Sequence, residues 1–210
     1  MLLRIRVRLP DRPGSLGKVA RTLGAAGADV VRLSVLEQDE GRALDDFTVS
    51  WPNGLSADRL IAGLDAVPGV KVEGLWRTVE PQGLHPDVAL IGQLATAPAV
   101  DGLVILADAL PAILSADWAG VVHVPSGKLV HTSPGGETAE APADLEPLRL
   151  RAFQAPDGAQ YAFVPLPSAD LAVLVARSNA PEFHKTEILR LEQLVLAACA
   201  VLGERLGPFA

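Results

Sequence analysis

The segment LRIRVRLPDRPGSLGKVARTLGAAGADVVRLSV, residues 3–35, sets the fold of the first part of the chain. It opens with apolar residues at every second position, separated by Arg4, Arg6 and Arg8. This alternation predicts a strand with one buried face and one polar face. A helix and a second alternating strand follow, so the segment predicts a strand–helix–strand unit. The apolar stripe of the helix consists of Leu16, Val19, Ala20 and Leu23.

The same kind of pattern continues beyond this segment. A polar run with a glycine at 38–41 predicts a hairpin turn, and alternation at 46–51 predicts a third strand. Ser56 is expected to cap a second helix through its hydroxyl, as Ser15 caps the first. A fourth strand is expected over 70–76. The order β-α-β-β-α-β with short connections predicts a ferredoxin-like α+β sandwich, with helices on one sheet face and the arginines of the first strand on the other.

A change of pattern divides the chain. A Pro- and Gly-containing stretch at 81–86 predicts a linker between a domain at 1–80 and a second domain at 87–210. Helices first, then strands, then a closing helix predict a second α+β domain. Residues 134–147 are expected to form a loop with some helix. The other expected elements are helices at 88–95, 100–114 and 185–206, and strands at 118–124, 128–132, 161–165 and 171–176.

Composition excludes several classes of protein. The chain has 210 residues, 49% of them hydrophobic, and a formal net charge of −7, which argues against a nucleic-acid-binding protein. The apolar stretch between Glu192 and Glu204 is far shorter than the ~20 residues of a membrane span. The single cysteine, Cys199, rules out an internal disulfide framework and a multi-cysteine zinc site. We therefore expect a cytoplasmic protein that does not associate with membranes.

The sequence carries no motif for catalysis or metal binding. It contains no nucleophile elbow, no phosphate-binding loop and no paired-histidine metal motif. His123 and His131 flank a turn whose length decides whether they face each other, and the pair Asp45 and Asp46 is expected to be solvated. We expect no enzymatic activity, no metal and no cofactor.

The final predicted helix is apolar over most of its circumference. Such a helix is either buried within its own domain or paired with a helix of another chain. The pattern favours a partner helix from a second copy, and hence a homodimer.

Residues 3–76 resemble an ACT domain, a small-molecule regulatory module attached to enzymes of amino-acid metabolism. The resemblance rests on the opening strand, the turn DRPGSL at 11–16, the sequence GADV at 27–30 and the order of elements. Many amino-acid-binding members carry Asn where this chain has Asp29. The C-terminal part resembles a GAF-like sensory domain in its strand at 118–124 and in its ending, from FVPLP to TEILRLEQL.

The ACT resemblance implies a ligand site. Gly14 has no Cβ to obstruct a ligand, and the amides of Ser15 and Leu16 at a helix start favour a carboxylate. Asp11 and Asp29, which the ACT fold is expected to place near each other, suit an ammonium group. An amino acid held at a subunit interface is therefore the expected ligand. The candidate binding residues are Asp11, Arg12, Pro13, Gly14, Ser15, Leu16 and Asp29.

Two alternatives stand beside this regulatory function. In the first, residues 11–16 form only a tight turn, Asp29 faces water, and the protein mediates assembly without a ligand of its own. In the second, the chain is a small hydrolase or isomerase, which the absence of a catalytic motif disfavours.

Overall fold

The computed structural model describes residues 1–79, 85–167 and 170–203. These residues divide into two compact units, the first comprising Met1–Thr78 with Asn179–Pro181 and the second the rest. Residues 81–84 of the predicted linker lie outside the described residues, and Pro86 already belongs to a helix. The domain limits at 80 and 87 stay a prediction.

The first unit is a four-stranded antiparallel sheet with two helices, in the predicted ferredoxin-like order. The strands lie in the order β2-β3-β1-β4, so β1 is central and β2 is at one edge. The third strand begins four residues before the predicted start at 46, and Trp51 follows it. The elements are β1 (Leu2–Pro10), α1 (Ser15–Ala25), β2 (Asp29–Asp39), β3 (Arg42–Ser50), α2 (Asp58–Asp65) and β4 (Lys71–Thr78).

Both predicted N-caps are wrong. The residue before α1 is Gly14, with φ of +89°, and Ser15 is the first helical residue, with no side chain capping the helix. In α2 the cap position is Ala57, although Ser56 Oγ accepts the Asp58 N–H at 3.2 Å. Because Ser15 takes a buried position, Leu16 points outward and is 40% exposed. The buried side of α1 therefore consists of Ser15, Val19 and Leu23.

The sheet face opposite the apolar core carries a buried ion-pair cluster. Arg6 and Asp46 are each 2% exposed. Arg6 Nε donates to Asp46 Oδ1 at 2.8 Å and Arg6 Nη2 to Oδ2 at 2.8 Å, while Arg4 Nε donates to Oδ2 at 3.0 Å. The Arg6 guanidinium carbon also lies 5.5 Å from the centroid of the Trp76 ring. The expectation that Asp45 and Asp46 are solvated is wrong, since both are buried.

The second unit has a five-stranded antiparallel sheet in the order β6-β5-β9-β8-β7. Strand β7 was not predicted, and the segment 133–150 before it contains no helix, contrary to expectation. The predicted end of the last helix, residues 204–206, lies outside the described residues. The elements are α3 (Pro86–Thr96), a 3-10 helix (Ala99–Asp101), α4 (Gly102–Leu114), β5 (Trp118–His123), a 3-10 turn (Val124–Ser126), β6 (Lys128–Thr132), β7 (Arg151–Gln154), β8 (Gln160–Pro165), β9 (Leu171–Arg177) and α5 (Lys185–Leu202).

Helices α3, α4 and α5 pack with one face of this sheet into a single apolar core. Helix α5 contributes Leu191, Val195 and Ala198 to that core, whereas Leu189 and Leu196 are 51% and 50% exposed. Part of the apolar surface of α5 is therefore buried within its own unit, and a partner helix on the other part stays a prediction. Within the described residues, no helix is both long enough and apolar enough to cross a bilayer.

Candidate functional site

The predicted ligand turn connects β1 to α1 at one end of the first sheet. The Asp11 N–H donates to Gly41 O at 2.8 Å, which ties the turn to the β2–β3 hairpin. Gly14 has a left-handed conformation that favours glycine, and a Cβ built there would meet no atom within 4 Å. The turn therefore faces open space above Gly14. Asp11, Arg12, Pro13 and Gly14 are exposed.

Of the two amides expected to meet the ligand, that of Ser15 is less available than expected. The Ser15 N–H donates to Arg12 O at 3.2 Å, so the prediction that it points unpaired toward a ligand is wrong. The helix start as a whole still presents the positive end of the peptide dipoles to the turn.

Asp11 and Asp29 lie at opposite ends of the sheet. Asp29 is the first residue of β2 and pairs with Ser50, whereas Asp11 is joined to the hairpin that precedes β3. The nine residues of β3 separate the two positions by roughly 27 Å. The expectation that one chain brings the two carboxylates together is therefore wrong, because α1 carries the chain back along the sheet before β2 begins.

A carboxylate that feels the charge of Asp11 is Asp45, which the sequence prediction placed in solvent. Asp45 lies in β3, opposite Val7 of β1 and Val35 of β2, and is 4% exposed. Its Oδ1 has no hydrogen-bond partner among the described residues. Burial raises the pKa of Asp45 to about 6, and the negative charges of Asp46 and Asp11 act in the same direction.

The sequence does contain a signal for Asp45. Ala43, Phe47 and Val49 occupy the inward positions of β3, and Asp45 falls in the same alternating series. A carboxylate in an inward position of a strand is unusual, because burial of an unpaired charge is costly.

Strand β2 forms an apolar edge of the sheet. Among the described residues it pairs on one side only, with β3. Four of its large apolar side chains are 38–53% exposed, and edge strands of this kind invite pairing with another chain. The exposed residues are Val30, Val31, Leu33 and Val35.

A cleft of about 650 Å³ lies between α1 and α2, at the end of the sheet where Asp29 is found. Its lining is largely apolar, and Arg59 is the cation in it. No residue of the predicted ligand turn lines this cleft. The lining residues are Thr22, Ala25, Ala26, Trp51, Leu55, Ser56, Arg59 and Gly63.

The histidines of the second unit have local partners. His131 Nε2 lies 2.8 Å from Asp108 Oδ1, and His123 Nδ1 lies 2.8 Å from Ser126 Oγ. The two are not directly opposite each other, because His131 pairs with Val121 while His123 pairs with Lys128. Within residues 1–79, 85–167 and 170–203, no group of three or more His, Cys, Asp or Glu side chains is placed to hold a metal ion.

The chain has a recognisable family match in its first unit. Residues 3–50, which cover β1, α1, β2 and β3, match the family model of the ACT domain. No curated protein matches the chain significantly.

Three solved structures resemble the chain at low identity. A formyltetrahydrofolate deformylase from Pseudomonas putida is 17% identical over 44% of this chain, which spans only 37% of the deformylase, with a TM-score of 0.31. An unknown protein from Galdieria sulphuraria is 15% identical over 98% of this chain and 93% of its own, with a TM-score of 0.33. A protein provisionally described as a glycine cleavage system transcriptional repressor is 13% identical over 96% of this chain and 91% of its own, with a TM-score of 0.28. These TM-scores carry no argument about function.

Proposed function

We propose that this protein is a non-catalytic regulatory protein whose first unit binds a small metabolite, an amino acid, at the turn formed by residues 11–16. The match of residues 3–50 to the ACT family supports a ligand-binding regulatory module. The observation that carries the amino-acid assignment is the buried, unpaired carboxylate of Asp45 near an exposed turn at the positive end of α1. The helix end suits the ligand carboxylate, and Asp11 with Asp45 suits its ammonium group.

The complete site, in this proposal, lies between two copies of the chain. Asp29 is too far from the turn to reach a ligand bound there in the same copy. If two β2 edges pair antiparallel about a two-fold axis near Ser34, Asp29 of one copy comes opposite Asp39 of the other. Asp39 follows Gln38, whose Nε2 lies 3.4 Å from Asp11 Oδ1. The pairing thus brings Asp29 of one copy to the ligand turn of its partner.

Calorimetry of the full chain with each of the twenty amino acids tests this function. We expect one or a few of them to bind with a Kd between about 1 µM and 1 mM. Asp29→Asn and Asp45→Asn should each weaken that binding by about tenfold or more, since each removes a negative charge that faces the ammonium group. Asp101→Asn, which changes an exposed carboxylate of the second unit, is the control.

Gly14→Val is a further variant of the turn. It should abolish binding, because a β-branched side chain at a φ of +89° distorts the turn. If no amino acid binds the wild-type protein at millimolar concentration, the proposed ligand is refuted.

A second candidate function is assembly without a ligand. The observation that favours it is the exposed apolar edge of β2, together with Leu189 and Leu196 on the outer side of α5. A stable dimer that binds none of the amino acids would support this function over the first.

We also propose a GAF-like character for the second unit and a cytoplasmic location for the protein. The first rests on an antiparallel sheet with helices on one face and the irregular segment 133–150 packed on the other through Leu145. The second rests on the single cysteine of the sequence.

A further inference from the structure

An arginine with two unpaired donors lies on the sheet face of the second unit that is turned away from α3, α4 and α5. Arg151 begins β7 and lies opposite Phe163 of β8. Its Nε and Nη2 atoms are out of contact with solvent and have no hydrogen-bond partner among the described residues. We propose that this guanidinium is the anchor of a binding site for a small organic carboxylate. The site is independent of the amino-acid site proposed for the first unit.

The aromatic neighbours of Arg151 contact the guanidinium without accepting its hydrogen bonds. Its central carbon lies 4.1 Å from the ring centroid of Phe153 and 5.7 Å from that of Phe163. Such rings attract a cation to their faces, and they leave the N–H groups in the guanidinium plane without an acceptor. The rings therefore hold the group in place, and the hydrogen bonds are left for another partner.

The two unpaired atoms determine the chemistry of that partner. Nε and Nη2 form one edge of the planar guanidinium, and this edge donates two parallel hydrogen bonds to a carboxylate. The guanidinium carries donors only and no acceptor, so its buried N–H groups need an acceptor from elsewhere. Buried charged donors without acceptors are costly, so an anion that accepts both bonds would stabilise the folded unit.

The nearest carboxylates that precede Arg151 in the sequence are engaged locally. Asp144 Oδ1 accepts the Glu146 N–H at 3.0 Å, and Glu146 Oε2 accepts the Leu148 N–H at 3.2 Å. Both residues are exposed. They do not supply the acceptor that Nε and Nη2 lack.

The surroundings of Arg151 indicate the rest of the ligand. Phe153 and Phe163 belong to an apolar cluster that also contains Tyr161, Leu174 and Leu145. Leu145 comes from the irregular segment 133–150, and loops of this length without secondary structure are usually functional or mobile. A ligand with one carboxylate and an apolar or aromatic body fits such a lining.

The arginine Nε–H signals in nitrogen–proton NMR spectra of the full chain test the proposal. Titration with acetate, hexanoate and benzoate, each to about 20 mM, covers weak ligands, with phosphate and chloride as parallel arms at matched ionic strength. We expect a carboxylate, best with an apolar body, to shift the Arg151 Nε–H signal in a saturable way. Lysine has no guanidinium, so the signal that disappears from the spectrum of Arg151→Lys is identified as that of Arg151.

Two lysine variants distinguish the contribution of the two parallel donors to binding from that of the positive charge alone. Arg151→Lys keeps the charge but loses the two parallel donors, so we expect binding to weaken by about tenfold or more. Arg149→Lys changes an exposed arginine two residues earlier and should bind like the wild type.

Several results would overturn the proposal. These are an Arg151 signal that no carboxylate moves, a response equal to that of chloride, saturation by phosphate alone, or unweakened binding in Arg151→Lys. If Arg151→Lys fails to fold, the wild-type titration and the Arg149→Lys variant still decide the matter.

Discussion

Arg6 and Asp46 face each other across β1 and β3 and form two hydrogen bonds of 2.8 Å, with each residue 2% exposed. Arg4 donates to the same carboxylate at 3.0 Å, so a single buried negative charge serves two positive ones. Removal of that charge leaves positive groups that the sheet holds away from water.

Asp46→Ala should lower the free energy of unfolding by about 3–5 kcal/mol, because it breaks a buried ion pair and leaves its partners uncompensated. Urea unfolding followed by circular dichroism measures the loss. Glu73→Ala is the control, since Glu73 pairs with Arg8 where both side chains are partly exposed, and it should cost about 0–1 kcal/mol. Equal losses in the two variants would contradict the prediction.

The pH dependence of stability should report Asp45. Its pKa rises from an ordinary value of 3.8 to about 6 on folding, so the folded state binds more protons between these pH values. The contribution of Asp45 is therefore greatest in acid, and the free energy of unfolding should fall by about 2–3 kcal/mol between pH 4 and pH 7 on this account.

Asp45→Asn should remove that decrease, as shown by subtracting its unfolding curves from those of the wild type. Asp157→Asn, in an exposed turn of the second unit, should leave the slope unchanged. A slope that is the same in Asp45→Asn and in the wild type would show that Asp45 does not titrate in this range.

Gly102→Ala should destabilise the second unit by about 1–3 kcal/mol through overpacking. A Cβ there would lie 2.5 Å from Cδ2 and 2.6 Å from Cδ1 of Leu202, which is fully buried. Gly92→Ala, in α3, is the matched helical control, because no atom lies within 4 Å of its Cβ position, and it should gain about 0.5–1 kcal/mol. Thermal unfolding of both variants measures the difference, and a stabilised Gly102→Ala would contradict the packing argument.

The protein should sediment as a dimer, with twice the 22.0 kDa mass of the chain. Val35→Lys, at the most exposed apolar residue of β2, should shift the equilibrium to monomer, because a charge on an edge strand opposes pairing. Leu196→Lys places the same charge on the exposed side of α5. If only Leu196→Lys dissociates the dimer, α5 and not β2 forms the interface.

The alternation of the first strand was enough to predict the core of the first unit, because period two assigns every side chain to a face. The alternation did not show that the polar face of the sheet is also shielded from solvent, and so the burial of Arg6 and Asp46 was missed. The start of α1 was misplaced by one residue, since the positive φ of Gly14 determines where the helix begins. Strand β7 was missed because four residues carry little pattern, and its pairing with β8 forms only in the folded chain.

The candidate site could be predicted only in part. The turn at 11–16 joins β1 to α1, and its role in ligand binding stays a prediction. The sequence analysis treated the residues before and after α1 as neighbours. An α-helix of eleven residues is about 16 Å long, so the turn before it and Asp29 after it cannot meet in one copy. The register of β3 places Asp45 opposite Val7 of β1, where the charge of Asp11 still acts on it, and the pattern of one strand does not reveal that register.

If the ligand site lies between two copies, as proposed, the separation of Asp11 from Asp29 makes ligand binding depend on the concentration of the protein itself. Under the proposed arrangement a single copy lacks the contact that Asp29 of the partner would make with the metabolite, so association of the copies and ligand binding promote each other by linkage. In a cell that makes little of this protein, little of the metabolite would be bound even when its concentration is high. The level of expression would thus set the metabolite concentration at which the protein becomes occupied. A change in promoter strength would shift that concentration without any change in the binding residues.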